Sequence, residues 1–98
     1  MTITKKQNGT TLEFALEGRL DTTTAPMLEA ELKAALNGVT ELIMDFSALE
    51  YISSAGLRVL LYAHKAMLGK GEMKVVHANE IVQEVFEVTG FNDILTIE

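Results

Sequence analysis

Strand-like and helix-like segments alternate along almost the whole chain, and this order restricts the fold more than any other feature. After two strand-like segments at the N-terminus, the alternation predicts the order ββαβαβα, with a further short strand over 94–97. Strands that alternate with helices favour parallel neighbours joined by right-handed crossovers. Because 98 residues provide one hydrophobic core, we expect a single α/β domain over 1–98. Its sheet should be mixed and mainly parallel, with an N-terminal hairpin and helices packed on it.

Local signals place the first and last elements. Asn8-Gly9 separates strands predicted over 3–7 and 11–17, and Asn-Gly favours a hairpin because both turn residues then need positive φ. The hydroxyls of 22–24 can cap a first helix. Asn79 can cap a third helix, and Gly90 can end it.

The continuous apolar run 42–44 predicts a short strand buried on both faces, and Met73–Val76 is interpreted as another buried strand. The first run leads to Asp45 and a predicted loop, and a second helix is expected from about Ser54 to Leu68. This helix is apolar on most sides, which predicts either burial beneath a neighbouring helix or coverage by a partner protein.

Charge and missing motifs exclude several functions. Eight basic and fourteen acidic residues give a net charge of −6, which argues against nucleic-acid binding and against an anionic membrane surface as a partner. No apolar run approaches the roughly 20 residues that span a bilayer, so we expect no membrane insertion. The N-terminus does not resemble a signal peptide, so we expect a cytoplasmic protein. There is no cysteine, no phosphate-binding glycine loop, and Ile52 occupies the first glycine position of a G-x-S-x-G elbow. We therefore expect that the protein is not an enzyme and that it has no cofactor and no metal site.

Polar residues follow the predicted strands at their carboxyl ends, where open parallel sheets gather their sites. They are Asp21, Asp45 and His77, and Ser53 and Ser54 belong to the same edge. Each aspartate can serve a site, or simply order a turn. A lone histidine without a partner does not make a site.

Ser54 has two interpretations from the residues alone. Its hydroxyl can cap the second helix, since serine is a preferred N-cap residue. Alternatively, it can carry a phosphate, which helix amides favour and which would bring negative charge towards Asp21 and Asp45. Gly56 would leave the start of the helix accessible. The same edge could also bind a nucleotide or a small anion.

The chain resembles the STAS domain family, and within it the bacterial anti-sigma factor antagonists. The resemblance is carried by EGRLDTTTAPMLEAEL, LIMDFSALEYISSAGLRVLLYAHKAM and GEMKVVHANEIVQEVFEVTGFNDILTIE. It implies a binding module without catalysis, whose partner is an anti-sigma factor with serine-kinase activity. The family's acceptor serine corresponds to Ser54 in this chain. The resemblance implies that phosphorylation of Ser54 would break the complex and that a phosphatase would restore it.

One position departs from the family motif, because Ser53 replaces the aspartate that precedes the acceptor serine. Ser53 is therefore a second, less favoured acceptor. A constitutive STAS subunit of a stress-signalling or membrane-transport assembly is the alternative function. The residues that we expect at the partner-binding edge are Asp21, Asp45, Ser53, Ser54, Ala55, Gly56 and Arg58.

Overall fold

The computed structural model describes residues 1–98, and its main elements follow the predicted order. A single 3₁₀ turn, Phe91–Asp93, precedes the last strand. The strands and helices are β1 (Thr2–Asn8), β2 (Thr11–Leu20), α1 (Ala25–Ala35), β3 (Glu41–Ile52), α2 (Ser54–Met67), β4 (Glu72–Val76), α3 (Glu80–Thr89) and β5 (Thr96–Ile97).

The five strands form one mixed sheet in the order β1-β2-β3-β4-β5. Only β1 and β2 are antiparallel, and the other neighbours are parallel, so the predicted fold class is confirmed. The hairpin turn differs by one residue from the prediction. Asn8 still pairs with Thr11, and the two turn residues are Gly9, at φ 66, and Thr10. Glycine at the first turn position is typical of a type II′ turn.

The sheet is covered on one face, so the expectation of a strand buried on both faces is wrong. Leu42 and Met44 are fully buried, whereas Ile43 between them is only half-buried. Ile43 lies in register with Glu13 and Lys74, and Lys74 Nζ is 3.5 Å from a carboxylate oxygen of Glu41 on the same face. Charged neighbours of this kind identify the face that the helices leave uncovered.

Strand β3 is much longer than the predicted run, and the expected loop after Asp45 is strand instead. It continues to Ile52 because its second half pairs with the end of β2, where Leu20 lies opposite Ile52. The register shifts twice, once between Ala15 and Glu17 of β2 and again after Gly18. Each shift inserts one extra residue into β3, as a β-bulge does.

The helices bury the covered face of the sheet. Helix α2 ends at Met67, close to the prediction, and it packs beside α1. Val59 is buried and Tyr62 is half-buried, which favours cover by the neighbouring helix for the second apolar face of α2. No helix combines the length and the apolar content that crossing a bilayer requires.

The ends of α3 agree with the prediction. The side chain of Asn79 accepts a hydrogen bond of 2.8 Å from the backbone N–H of Val82. Gly90 follows the helix in the left-handed conformation, at φ 79. Between these two ends, Phe86 of α3 stacks on Phe46 of β3 with ring centroids 6.3 Å apart. This contact packs α3 against the sheet.

Candidate functional site

The site is built where β2 and β3 end together. Leu20 and Ile52 are paired, and the backbone N–H of Ser53 donates a hydrogen bond of 2.9 Å to the carbonyl of Leu20. Each strand is followed by a helix, β2 by α1 and β3 by α2. Asp21, which precedes α1, therefore lies beside the start of α2. The structure therefore brings Asp21 and the two serines to one edge of the sheet.

Asp21 is held by the turn that it orders. Its Oδ1 atom accepts hydrogen bonds from the backbone N–H groups of Thr23 (3.0 Å) and Thr24 (3.1 Å). The Thr24 hydroxyl donates to the carbonyl of Arg19 at 2.8 Å and accepts from the backbone N–H of Asp21 at 2.9 Å. Asp21 thus orders the turn before α1. The prediction that the hydroxyls of 22–24 cap this helix is wrong, because Thr24 at the N-cap position makes no side-chain capping hydrogen bond.

These donors make Asp21 a fixed negative charge. The N–H of Thr24 is the largest cause that lowers the pKa of Asp21 below its ordinary value. Desolvation, the second-largest effect, opposes it, and the N–H of Thr23, the Thr24 hydroxyl and the Arg19 charge each lower the pKa further. Arg19 Nε lies 3.9 Å from Asp21 Oδ2, and the guanidinium stands over the ring of Tyr51 at 4.4 Å. The edge therefore carries an ionised carboxylate together with an arginine that is already engaged.

Arg19 and Tyr51 are members of this edge that the sequence analysis missed. Their stacking depends on the second bulge of β3, which brings Tyr51 opposite Arg19. No local pattern reports such a register shift. The only sequence signal near them was the predicted end of the second strand, which put Arg19 two residues before Asp21 but did not indicate its contact with Tyr51.

The two serines differ in position and in exposure. Ser53 occupies the N-cap position of α2, yet its side chain makes no capping hydrogen bond. Its Oγ atom is buried and has no hydrogen-bond partner. Ser54 is the first residue of the helix and is exposed. The prediction that Ser54 caps α2 is thus wrong, because the helix begins one residue too early for it.

We expect Ser53→Ala to raise the free energy of unfolding by about 1 kcal/mol. Removing a buried hydroxyl that has no partner relieves a desolvation penalty of this order. A capping serine would lose about 1 kcal/mol in the same exchange, so the sign of the change is informative. Urea or thermal unfolding measures it. Asn79→Ala is the matched control, since that side chain does cap a helix and must lose stability. A loss with Ser53→Ala would contradict the uncapped geometry.

Ala55 and Gly56 are buried at the base of the site. A Cβ atom on Gly56 would lie 2.7 Å from Cγ of Leu20 and 2.8 Å from Cγ1 of Ile52, closer than carbon atoms approach. The expectation that Gly56 keeps the helix start accessible is therefore wrong. Its missing side chain lets α2 approach the ends of β2 and β3.

Arg58 lies one turn beyond Ser54 on the outer surface of α2. It is exposed and lines a shallow groove between the first turns of α1 and α2. The other residues that line this groove are Thr22, Ala25, Pro26, Glu29, Ala55 and Val59. Ser54 does not line this groove itself, but it directly precedes Ala55, which does.

Asp45 does not join this group. It lies seven residues before the end of β3, roughly 20 Å away at about 3.3 Å per residue. Its Oδ1 atom accepts a hydrogen bond of 2.9 Å from the backbone N–H of Ser47 in the first bulge, which is the turn-ordering interpretation. Its level in the sheet is that of Val76 at the end of β4, where the exposed His77 follows with φ 62. The aspartate was misplaced because β3 continues past it.

The geometry defines a single α/β domain with an exposed serine at the start of α2 and an aspartate anchored by backbone donors at the same edge. Residues 2–98 match the family described as the STAS domain, so the chain belongs to that family and the resemblance seen in the sequence is confirmed. No group of three or more metal-ligating side chains is assembled anywhere in the chain.

Relatives and solved structures within the family agree in name. BtrV of Bordetella bronchiseptica, named as an anti-sigma factor antagonist, is 39% identical over 84 residues, which cover 84% of this chain and 72% of BtrV. The anti-sigma-B factor antagonist of Bacillus subtilis is 27% identical over 94% of this chain and 85% of its own. The Bacillus protein SpoIIAA has the same fold in its unphosphorylated form, with a TM-score of 0.79, 18% identity, and coverage of 99% and 87%. The phosphorylated form of SpoIIAA superposes with a TM-score of 0.77 at 19% identity, and the match covers 99% of this chain and 91% of that structure.

Proposed function

We propose that this protein is an anti-sigma factor antagonist, which binds an anti-sigma factor with serine-kinase activity and thereby frees the sigma factor held by it. The names of BtrV and of the Bacillus subtilis relative support this role. The protein acts by binding and catalyses no reaction itself. It works in the cytoplasm, and a phosphatase returns it to the binding form.

The switch in this proposal is phosphorylation of Ser54. The observation that carries it is the contrast between the two neighbouring serines, because Ser54 is exposed whereas the Oγ atom of Ser53 is buried. A kinase must bring the acceptor oxygen in line with the γ-phosphorus of ATP, and only an accessible hydroxyl allows this. Solved structures of SpoIIAA in unphosphorylated and phosphorylated forms lend support, since its fold accepts such a modification.

In this proposal, the kinase transfers the γ-phosphoryl group of ATP to Ser54. Ser54 Oγ forms a bond to the γ-phosphorus, the bond to the ADP oxygen breaks, and the serine proton passes to a base of the kinase. The product carries a charge of roughly −1.5 to −2 at an edge that already holds the ionised Asp21. A partner surface that accepted a neutral hydroxyl then meets a concentrated negative charge, which costs binding free energy.

Mapping the phosphorylated residue tests the proposal. The purified chain is incubated with ATP and lysate of its source cells, and peptides are sequenced by mass spectrometry. We expect phosphate on Ser54, on essentially every modified molecule, and none in the Ser54→Ala variant. Ser53→Ala is the matched control and must still be modified.

The other results decide between the alternatives. Phosphate on Ser53 alone would move the switch to the position of the lost aspartate and overturn the assignment of Ser54. With a known kinase substrate modified in the same lysate, absence of phosphate on both serines would favour the constitutive STAS subunit.

A further inference from the structure

Arg58 is a cation without a partner inside the molecule. It is exposed on α2 and takes part in no ion pair and no side-chain hydrogen bond. The other arginine at this edge, Arg19, is already engaged with Asp21 and with the ring of Tyr51. Glu29 lines the same groove as Arg58, but its nearest cation is Lys33, at 3.8 Å. The guanidinium of Arg58 is thus free to bind an added anion.

The spacing along the helix places that cation beside Ser54. The two residues lie four positions apart in one continuous helix, so their Cβ atoms are about 5–6 Å from each other on the same face. Both side chains are exposed, and the anion would precede the cation along the chain. This is the more favourable orientation of an i,i+4 pair.

We propose that Arg58 binds the phosphate of phosphorylated Ser54, so that modification withdraws the arginine from the groove as well as adding negative charge. This regulation rests on the proposed function, since it needs phosphate at Ser54. A phosphate offers three oxygens in a geometry that the planar guanidinium contacts with two parallel N–H groups. Four residues along a helix is close enough for such a contact without bending the backbone.

The consequence is a switch with two components. In the unmodified chain, the groove presents Arg58 to an acidic group of the partner. In the modified chain, the arginine is turned towards Ser54, and the groove keeps only Glu29 as a charged member. The partner therefore loses a cation at the same time as it meets the phosphate.

The second ionisation of the phosphate reports this contact. Phosphoserine is introduced at position 54 during synthesis by an expanded genetic code, so no kinase is needed. The ³¹P chemical shift is then followed from pH 4 to 9, since this range brackets a second pKa of about 6. A guanidinium in contact favours the dianion and lowers that pKa. We expect Arg58→Gln to raise it by about 0.5, a roughly threefold change in the protonation equilibrium.

Matched variants make the result specific. Arg58→Lys retains the charge but not the paired N–H groups, so the phosphate pKa of this variant should lie between those of the parent and Arg58→Gln. Lys65→Gln removes an exposed cation two turns further along the same helix, and it should leave the pKa within about 0.1. Equal pKa values for the parent and Arg58→Gln would overturn the inference. Because the phosphate is installed directly, that result is independent of whether a kinase modifies Ser54, which the phosphate mapping decides.

Discussion

Gly71→Ala should lower the free energy of unfolding by about 3 kcal/mol, at the upper end for overpacking of a filled site. A Cβ atom on Gly71 would lie 1.8 Å from the carbonyl oxygen of Thr40 and 2.6 Å from its carbonyl carbon. These are backbone atoms, which no rotamer change can move. The same carbonyl accepts a hydrogen bond of 3.0 Å from the N–H of Glu72, so relief of the clash displaces the start of β4 from β3.

Chemical denaturation of the variant measures this loss, and the melting temperature should fall by more than about 10 °C for a domain of this size. Gly69→Ala is the matched control in the same connection. Gly69 has φ 79 and nothing within 4 Å of a Cβ atom, so it should lose only the 1–2 kcal/mol, roughly, of a left-handed alanine. If both variants lose the same amount of stability, the close approach of Gly71 to Thr40 has no large cost and this prediction is wrong.

The elements that the sequence predicted well are those with local causes. Asn79 and Gly90 mark the ends of α3 because a capping side chain and a left-handed glycine act within a few residues. The hairpin is likewise local, although the turn is displaced by one residue to Gly9 and Thr10. The order of strands and helices then follows, since parallel strands need long crossovers.

Features set by tertiary pairing were not predictable in this way. The apolar run 42–44 is equally compatible with cover on one face or two, and the structure leaves Ile43 beside charged neighbours. The extension of β3 through 45–52 depends on its pairing with the end of β2, and its two bulges follow from that pairing. A strand of this kind has no regular alternation to recognise.

The same cause explains which site residues were placed correctly. Asp21 and the serines follow directly from the ends of β2 and β3, whereas Asp45 was misplaced because β3 continues beyond it. The sequence placed Ser54 at the N-cap of α2, whereas the structure places Ser53 there, a difference of one residue at a helix boundary. Composition cannot resolve it, since serine is suited to both the N-cap and the first turn.

Ser54→Asp should weaken binding to the anti-sigma factor by about 2–3 kcal/mol, roughly a 30- to 150-fold rise in Kd, while Ser54→Ala stays within about twofold of the parent. The hydroxyl is exposed and caps nothing, so its removal leaves no buried group unpaired. The aspartate adds a charge beside Asp21, whose own carboxylate is kept ionised by its backbone donors. Repulsion of the partner, and not damage to the fold, is therefore the cause.

Calorimetric titration of each variant with the purified anti-sigma factor proposed as its partner, with ADP in place of ATP so that no phosphate can be transferred, measures the two Kd values. Ser54→Asn is the matched control, because asparagine has the size of aspartate without its charge, and it should bind nearly as well as Ser54→Ala. Ser54→Asp should be as stable as the parent or slightly more so, since a carboxylate in the first turn of a helix is favourable. Equal binding by the alanine and aspartate variants would exclude a charge switch at this serine. Equal weakening by asparagine and aspartate would assign the effect to size, since only the charge distinguishes those two side chains.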